Sequence, residues 1–184
     1  MFSAAIRLHN TAFGAIERNA VSWLPGLFAR FAFAAVLLVY YLNSFSTKIG
    51  TGPLGVFSVA DNAYYQILPS VIEAAGYDVA NVGLGWKLVV WAGTYAELIL
   101  PLLIVAGLFT RLASLGMMGF ITVQSLVDVW LHKIGPEATG AWFDRFSDAA
   151  ILDQRLMWFV PLVLLVIQGA GAISLDHLLA RNRT

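Results

Sequence analysis

Five polar side chains fall inside stretches that are otherwise apolar: Arg30, Glu97, Gln124, Asp128 and Gln168. An ionisable group at membrane depth costs a few kcal/mol or more unless it faces other protein groups or a wet cavity and finds a partner. Cation, carboxylate and amide brought together could hold an anion or a carbonyl head group, or pass a proton. They could equally be a self-satisfied cluster that fixes which helix packs on which. Both readings stay open on residue types alone.

Spacing narrows the arrangement. With a helix rise of about 1.5 Å per residue, Glu97 and Gln124 each lie roughly 20 Å from Arg111, on opposite arms of a hairpin, and can face each other. Gln168 comes level with Arg30, and Arg30 and Glu97 differ in depth by roughly 9 to 12 Å, a gap that long side chains or a water can bridge. The expectation is a coupled Arg30–Glu97 pair. Pro101 removes the helical hydrogen bond to the carbonyl of Glu97 and leaves an acceptor beside that carboxylate. Arg30, Glu97, Pro101, Gln124 and Gln168 are therefore the candidate intramembrane ligand or proton site. Asp128 lies one turn from both Gln124 and His132 on one face, so Asp128 and His132, with Lys48, are secondary candidates.

The elements that must position these groups are long apolar runs. A spanning helix needs about 20 mostly apolar residues. Four segments qualify, at about 24–42, 86–109, 112–131 and 156–175. Pro25 suits a first helical turn. Trp23, Tyr40, Tyr41, Trp86, Trp130 and Trp158 fall near the ends of these runs, as an aromatic belt requires. Thr110 and Arg111 almost alone join the second and third runs, which forces an antiparallel hairpin. The other two connections are long. Asp61 to Ala75 has the pattern of a short surface helix, and Thr139 to Leu152 also looks helical. The predicted fold is a single all-α domain over residues 1–184, an integral membrane four-helix bundle with short surface helices in two long external loops.

Composition sets exclusions. Of 184 residues, 59% are hydrophobic and 12% charged, about half the charge of a soluble domain. Net charge is zero and no basic run occurs, so nucleic acid is not an expected partner; the lipid bilayer is. With no cysteine, the chain alone supplies no disulfide, thiol relay or iron–sulfur cluster. His9, His132 and His177 make no HxxxH or HExxH pair, so no metal is expected. Phe2, Ile6, Phe13 and Ile16 could line a helix lying on a membrane surface, or belong to a partly ordered tail. Arg7, Arg18, Arg111, Arg181 and Arg183 concentrate on the side of the termini, which places both termini in the cytoplasm by the positive-inside rule.

The stretch from Glu97 through Gly107-Leu-Phe-Thr-Arg111-Leu-Ala resembles the central motif of the DoxX family: an acid, an apolar run, then Gly-Leu-x-Thr-Arg-x-Ala. Arg30, its apolar helix and Lys48 resemble the family's opening element, and Gly169-Ala-Gly-Ala-Ile-Ser-Leu-Asp176 is similar to its close. The resemblance implies a small multi-pass protein of the bacterial inner membrane and points to Arg30, Lys48, Glu97, Gly107 and Arg111. It also implies a component of a redox system, linked to membrane quinone and dependent on a soluble or membrane redox partner protein. No cofactor is expected within the chain itself. The alternative is a non-enzymatic membrane accessory, small-solute carrier or anchor protein with an intramembrane polar cluster.

Overall fold

A computed structural model describes residues 2–181. Among these residues the chain is all-helical, apart from an isolated bridge between Ile49 and Val59. Helix α1 is Phe2–Ala20, amphipathic and with no buried residue. Helix α2 runs Leu24–Ser46, with Pro25 in its first turn and a π-helical stretch over Ala34–Leu38. The first long connection carries α3, Asp61–Ile67, and α4, Pro69–Ala74. Helix α5 is Leu84–Ala106 and α6 is Thr110–Leu131, π-helical at its end over Val127–Leu131. A single turn, α7, Pro136–Thr139, precedes α8, Leu152–Gln168, and α9, Leu175–Arg181, follows.

Three of these helices, α2, α5 and α6, are long and apolar enough to cross a membrane. Helix α8 has only 17 residues and stops at Gln168, short of the predicted 156–175. Gly169 and Gly171 both take positive φ and break it. The broken segment lies against the start of α2: a Cβ on Gly26 would come within 2.5 Å of the Gly169 carbonyl oxygen. The small residues there do permit close approach, but through an irregular segment rather than through a helix face.

The hairpin between α5 and α6 also differs in detail from the prediction. Its turn is Gly107–Phe109, and Thr110 and Arg111 already belong to α6. Gly107 adopts φ 69°, and the chain closes with Leu108 N–H donating to the Leu103 carbonyl and Gly107 N–H to the Ile104 carbonyl. This pair of bonds is the Schellman ending that a left-handed glycine permits.

Helices α2, α5, α6 and α8 pack around one core, with α6 on α8, α8 on α2, α2 on α5 and α5 on α6. Phe33, Leu37 and Tyr41 from α2 meet Ile104, Met117, Ile121, Leu162 and Leu165 there. A second cluster forms where α3 and α4 fold over the start of α5, burying Tyr64, Leu68, Ile72, Val82 and Val90. The helix predicted over Asp61 to Ala75 is thus two helices, broken at Leu68 because the residue before Pro69 is driven out of the helical region. The helix predicted over Thr139 to Leu152 is absent: Gly140, at φ 76°, ends α7, and residues 141–151 are turns and irregular chain.

Candidate functional site

The sequence-predicted partner of Glu97 was Arg30; the structure gives it Lys48 instead. Lys48 Nζ lies 3.0 Å from Glu97 Oε2 and 3.2 Å from Oε1, with both residues about 5% exposed or less. Ser44 completes the group. Its hydroxyl accepts from Lys48 Nζ at 2.6 Å and donates to Glu97 Oε1 at 3.1 Å, and its carbonyl accepts from Nζ at 3.1 Å. The ammonium thus directs its donors to a carboxylate, a hydroxyl and a carbonyl, which is the satisfaction a buried cation requires. This is possible because α2 extends past its predicted end at 42 to Ser46. Ser44 and Lys48, four residues apart, then project together toward α5.

Arg30 faces the other way. Its Nε donates to the Ile104 carbonyl at 3.1 Å, its Nη2 to Val105, and its Nη1 to Ala170 at 3.3 Å and to Ile173. It thereby caps the end of α5 and ties it to the segment after α8. Asp176 does the complementary work, accepting from Phe109 N at 2.7 Å and Thr110 N at 2.9 Å at the start of α6. Arg30 and Gly107, both pointed to by the family resemblance, therefore build a lock around the hairpin turn, away from Glu97. Gln168 is exposed at the end of α8, and Pro101 is buried one turn below Glu97.

The other candidates gather on the opposite side of Glu97. A cavity of about 770 Å³ lies between α5 and α6, beneath α3 and the end of α2. Its polar lining is Ser44, Lys48, Glu97, Gln124, Asp128 and His132, with Gln66. Ile67, Val89, Leu100, Phe120 and Val123 supply apolar walls. Five sequence-predicted site residues therefore share one space (Lys48, Glu97, Gln124, Asp128 and His132), whereas Arg30, Pro101 and Gln168 do not line it.

Gln124 is held by two tyrosines, accepting from Tyr41 Oη at 3.2 Å and donating to Tyr40 Oη at 3.1 Å. Asp128 pairs with Arg155 of α8, whose other arm donates to Ser125 Oγ at 2.9 Å. His132 Nε2 lies 2.8 Å from the Gln66 carbonyl oxygen, so it roofs the cavity rather than joining Asp128. Sequence reasoning missed Ser44, Tyr41 and Arg155. Ser44 had a legible signal in its four-residue spacing from Lys48; Arg155 had none, because it sits in a part of α8 read as loop.

Such a space can hold a small molecule with a hydrogen-bonding head and an apolar body. Compared with protein-family models, curated proteins and solved structures, the chain matches none of them significantly.

Proposed function

We propose that this chain is a multi-pass membrane protein in which α2, α5, α6 and α8 span the bilayer as a four-helix bundle, with the helices of the two long connections on the external side. Both termini are cytoplasmic on this reading, in a bacterial inner membrane. What supports it is the apolar length of α2, α5 and α6 and the packing of α8 on the same core. The cavity under α3 is its binding site, for an amphipathic molecule of the quinone class. On this reading the chain is a DoxX-like component of a redox system. Lacking cysteine, it has no thiol relay of its own and receives electrons through a partner protein.

One observation carries the site: a buried cation–carboxylate–hydroxyl group opening on a cavity of about 770 Å³ with both polar and apolar walls. The residues fit a quinone head. The second N–H of Gln124 can donate to a carbonyl oxygen, Lys48 and Ser44 can do so by exchanging a bond within the Glu97 group, and Phe120, Leu100 and Val123 suit a ring. A bound quinone would supply two-electron, two-proton carrier chemistry; the chain's own side chains orient its head and keep bulk water from it. The test is thermal melting of the purified protein with quinone analogues. Saturable stabilisation that Glu97→Gln weakens supports the reading, and no shift with any quinone removes it. Stabilisation by small anions instead would favour the carrier alternative, which the Lys48 ammonium also suits.

A further inference from the structure

The cavity lies under α3 on the loop side and between small residues on the flank of the bundle. On the loop side, His132 binds the Gln66 carbonyl, Asn62 Nδ2 donates to the Thr47 carbonyl at 2.9 Å, and Thr47 meets the Gln66 side chain, so α3 is tied down over the space. On the flank, the walls fall to small residues: Ala92, Gly93 and Ala96 on α5 face Gly116 and Gly119 on α6. Ala92, Gly116 and Gly119 are exposed. A Cβ on Gly119 would meet nothing within 4 Å, and one on Gly93 would touch only the Ile67 side-chain tip, at 3.6 Å. At Gly116 the Leu100 side chain of α5 comes to 3.1 Å of such a Cβ, so the gap lies at Gly93 and Gly119. Measured from the Gly107–Phe109 turn, these residues lie about 10 to 23 Å along the helices, within the depth of a hydrocarbon layer of about 30 Å.

Resting on the reading of the cavity as a quinone-class site, we infer that its ligand enters sideways from the hydrocarbon through this seam between α5 and α6, and that its tail stays in the seam once the head has reached Lys48 and Glu97. The ligand class is thereby narrowed to a lipid-soluble molecule with a long apolar tail. A water-soluble analogue would have to pass the roof of α3. Gly93 and Gly119 act as specificity determinants, since any side chain at these positions occupies the path of the tail.

The experiment compares decylubiquinone, which carries an alkyl tail, with a tail-less dimethoxy-methyl-benzoquinone, on the parent protein and on Gly119→Leu and Gly93→Leu. Replacing a helical glycine raises helix propensity, so the ligand-free variants should melt at or above the parent. Decylubiquinone should bind them about tenfold more weakly or worse, the scale on which a filled apolar pocket discriminates, while the tail-less ring loses far less. Undiminished decylubiquinone binding by both variants overturns the route and leaves the cavity standing. Equal losses for both quinones also overturn it, because the new side chain would then be blocking the head. A changed oligomeric state by light scattering, with affinity unchanged, overturns it in favour of a seam that packs on a second copy. If no quinone shifts the parent, the cavity reading itself falls, and the route with it.

Discussion

Lys48, two residues past the end of α2, forms its ion pair with Glu97 in the middle of α5, at 3.0 Å and almost wholly out of solvent. Removing one member of such a pair strands the other in a low dielectric, at a cost of about 3–5 kcal/mol. Lys48→Met and Glu97→Gln should each lower stability by an amount of that order. The double variant should lose less than their sum, with a coupling of about 1–3 kcal/mol in a double-mutant cycle. Additive losses in detergent unfolding would show that the two charges do not depend on each other.

Arg30 presents the opposite case. It bonds four main-chain carbonyls on two segments, and bonds from a charged donor are worth about 1.5–3 kcal/mol each, not additively and less at a half-buried site such as this one. Arg30→Gln should destabilise by several kcal/mol, and Arg30→Lys should rescue little, because a single ammonium cannot reproduce the guanidinium fork. Arg30→Gln and Glu97→Gln should combine additively. A strong coupling between them would mean that the hairpin lock and the cavity form one network.

That contrast explains what was legible in the sequence. Hydrophobic runs disclosed the long helices to within a few residues, since bilayer-length apolar stretches have few other uses. Helix ends were less visible. Gly107 and Gly169 end α5 and α8 earlier than hydropathy suggests, because backbone conformation decides there and apolarity does not. The depth ruler brought Glu97 and Gln124 to one cavity correctly, yet it paired Arg30 with Glu97 because axial rise says nothing about which way a side chain points. Lys48 lies in the turn after α2, and the four residues by which α2 outruns its predicted end carry that turn up to α5.

Glycines of similar appearance should behave differently. At Gly26 a Cβ would press to 2.5 Å from the Gly169 carbonyl oxygen and 2.8 Å from Gly171 N, both backbone atoms that cannot swing aside. Gly26→Ala should therefore cost about 1–3 kcal/mol, the usual range for overpacking. Gly119→Ala faces open space and should be neutral or gain up to about 1 kcal/mol from helix propensity. Equal effects of the two changes on melting would contradict the close approach of the segment after α8 to α2.

The proposed orientation is testable in this cysteine-free background. Single cysteines at Glu73 in α4 and Glu137 in α7, both exposed positions, should react with a membrane-impermeant thiol reagent in intact cells. A cysteine at Thr11 in α1 should react only after the membrane is opened. Labelling of Thr11→Cys alone in intact cells would reverse the topology, and labelling of all three would mean that the bundle does not separate these segments.

The pairing at the π-helical end of α6 allows a sharper discrimination. Sequence spacing coupled Asp128 to His132, one turn apart on a single helix. In the structure Asp128 reaches across to Arg155 on α8, and His132 reaches to α3. Arg155 is nearly buried, also holds Ser125, lies with its guanidinium carbon 5.8 Å from the Trp158 ring centre, and leaves its Nε without a partner. Because that cation already lacks one bond, it depends strongly on the carboxylate. Asp128→Asn should cost about 1.5–3 kcal/mol, the range for a hydrogen bond to a charged group, with the partial exposure of Asp128 favouring the lower part. His132→Ala removes one exposed bond and should cost about 0.5–1.5 kcal/mol at most. In double-mutant cycles Asp128 should couple to Arg155 and remain additive with His132. Coupling to His132 without coupling to Arg155 would restore the single-helix pairing and detach α8 from this end of the cavity.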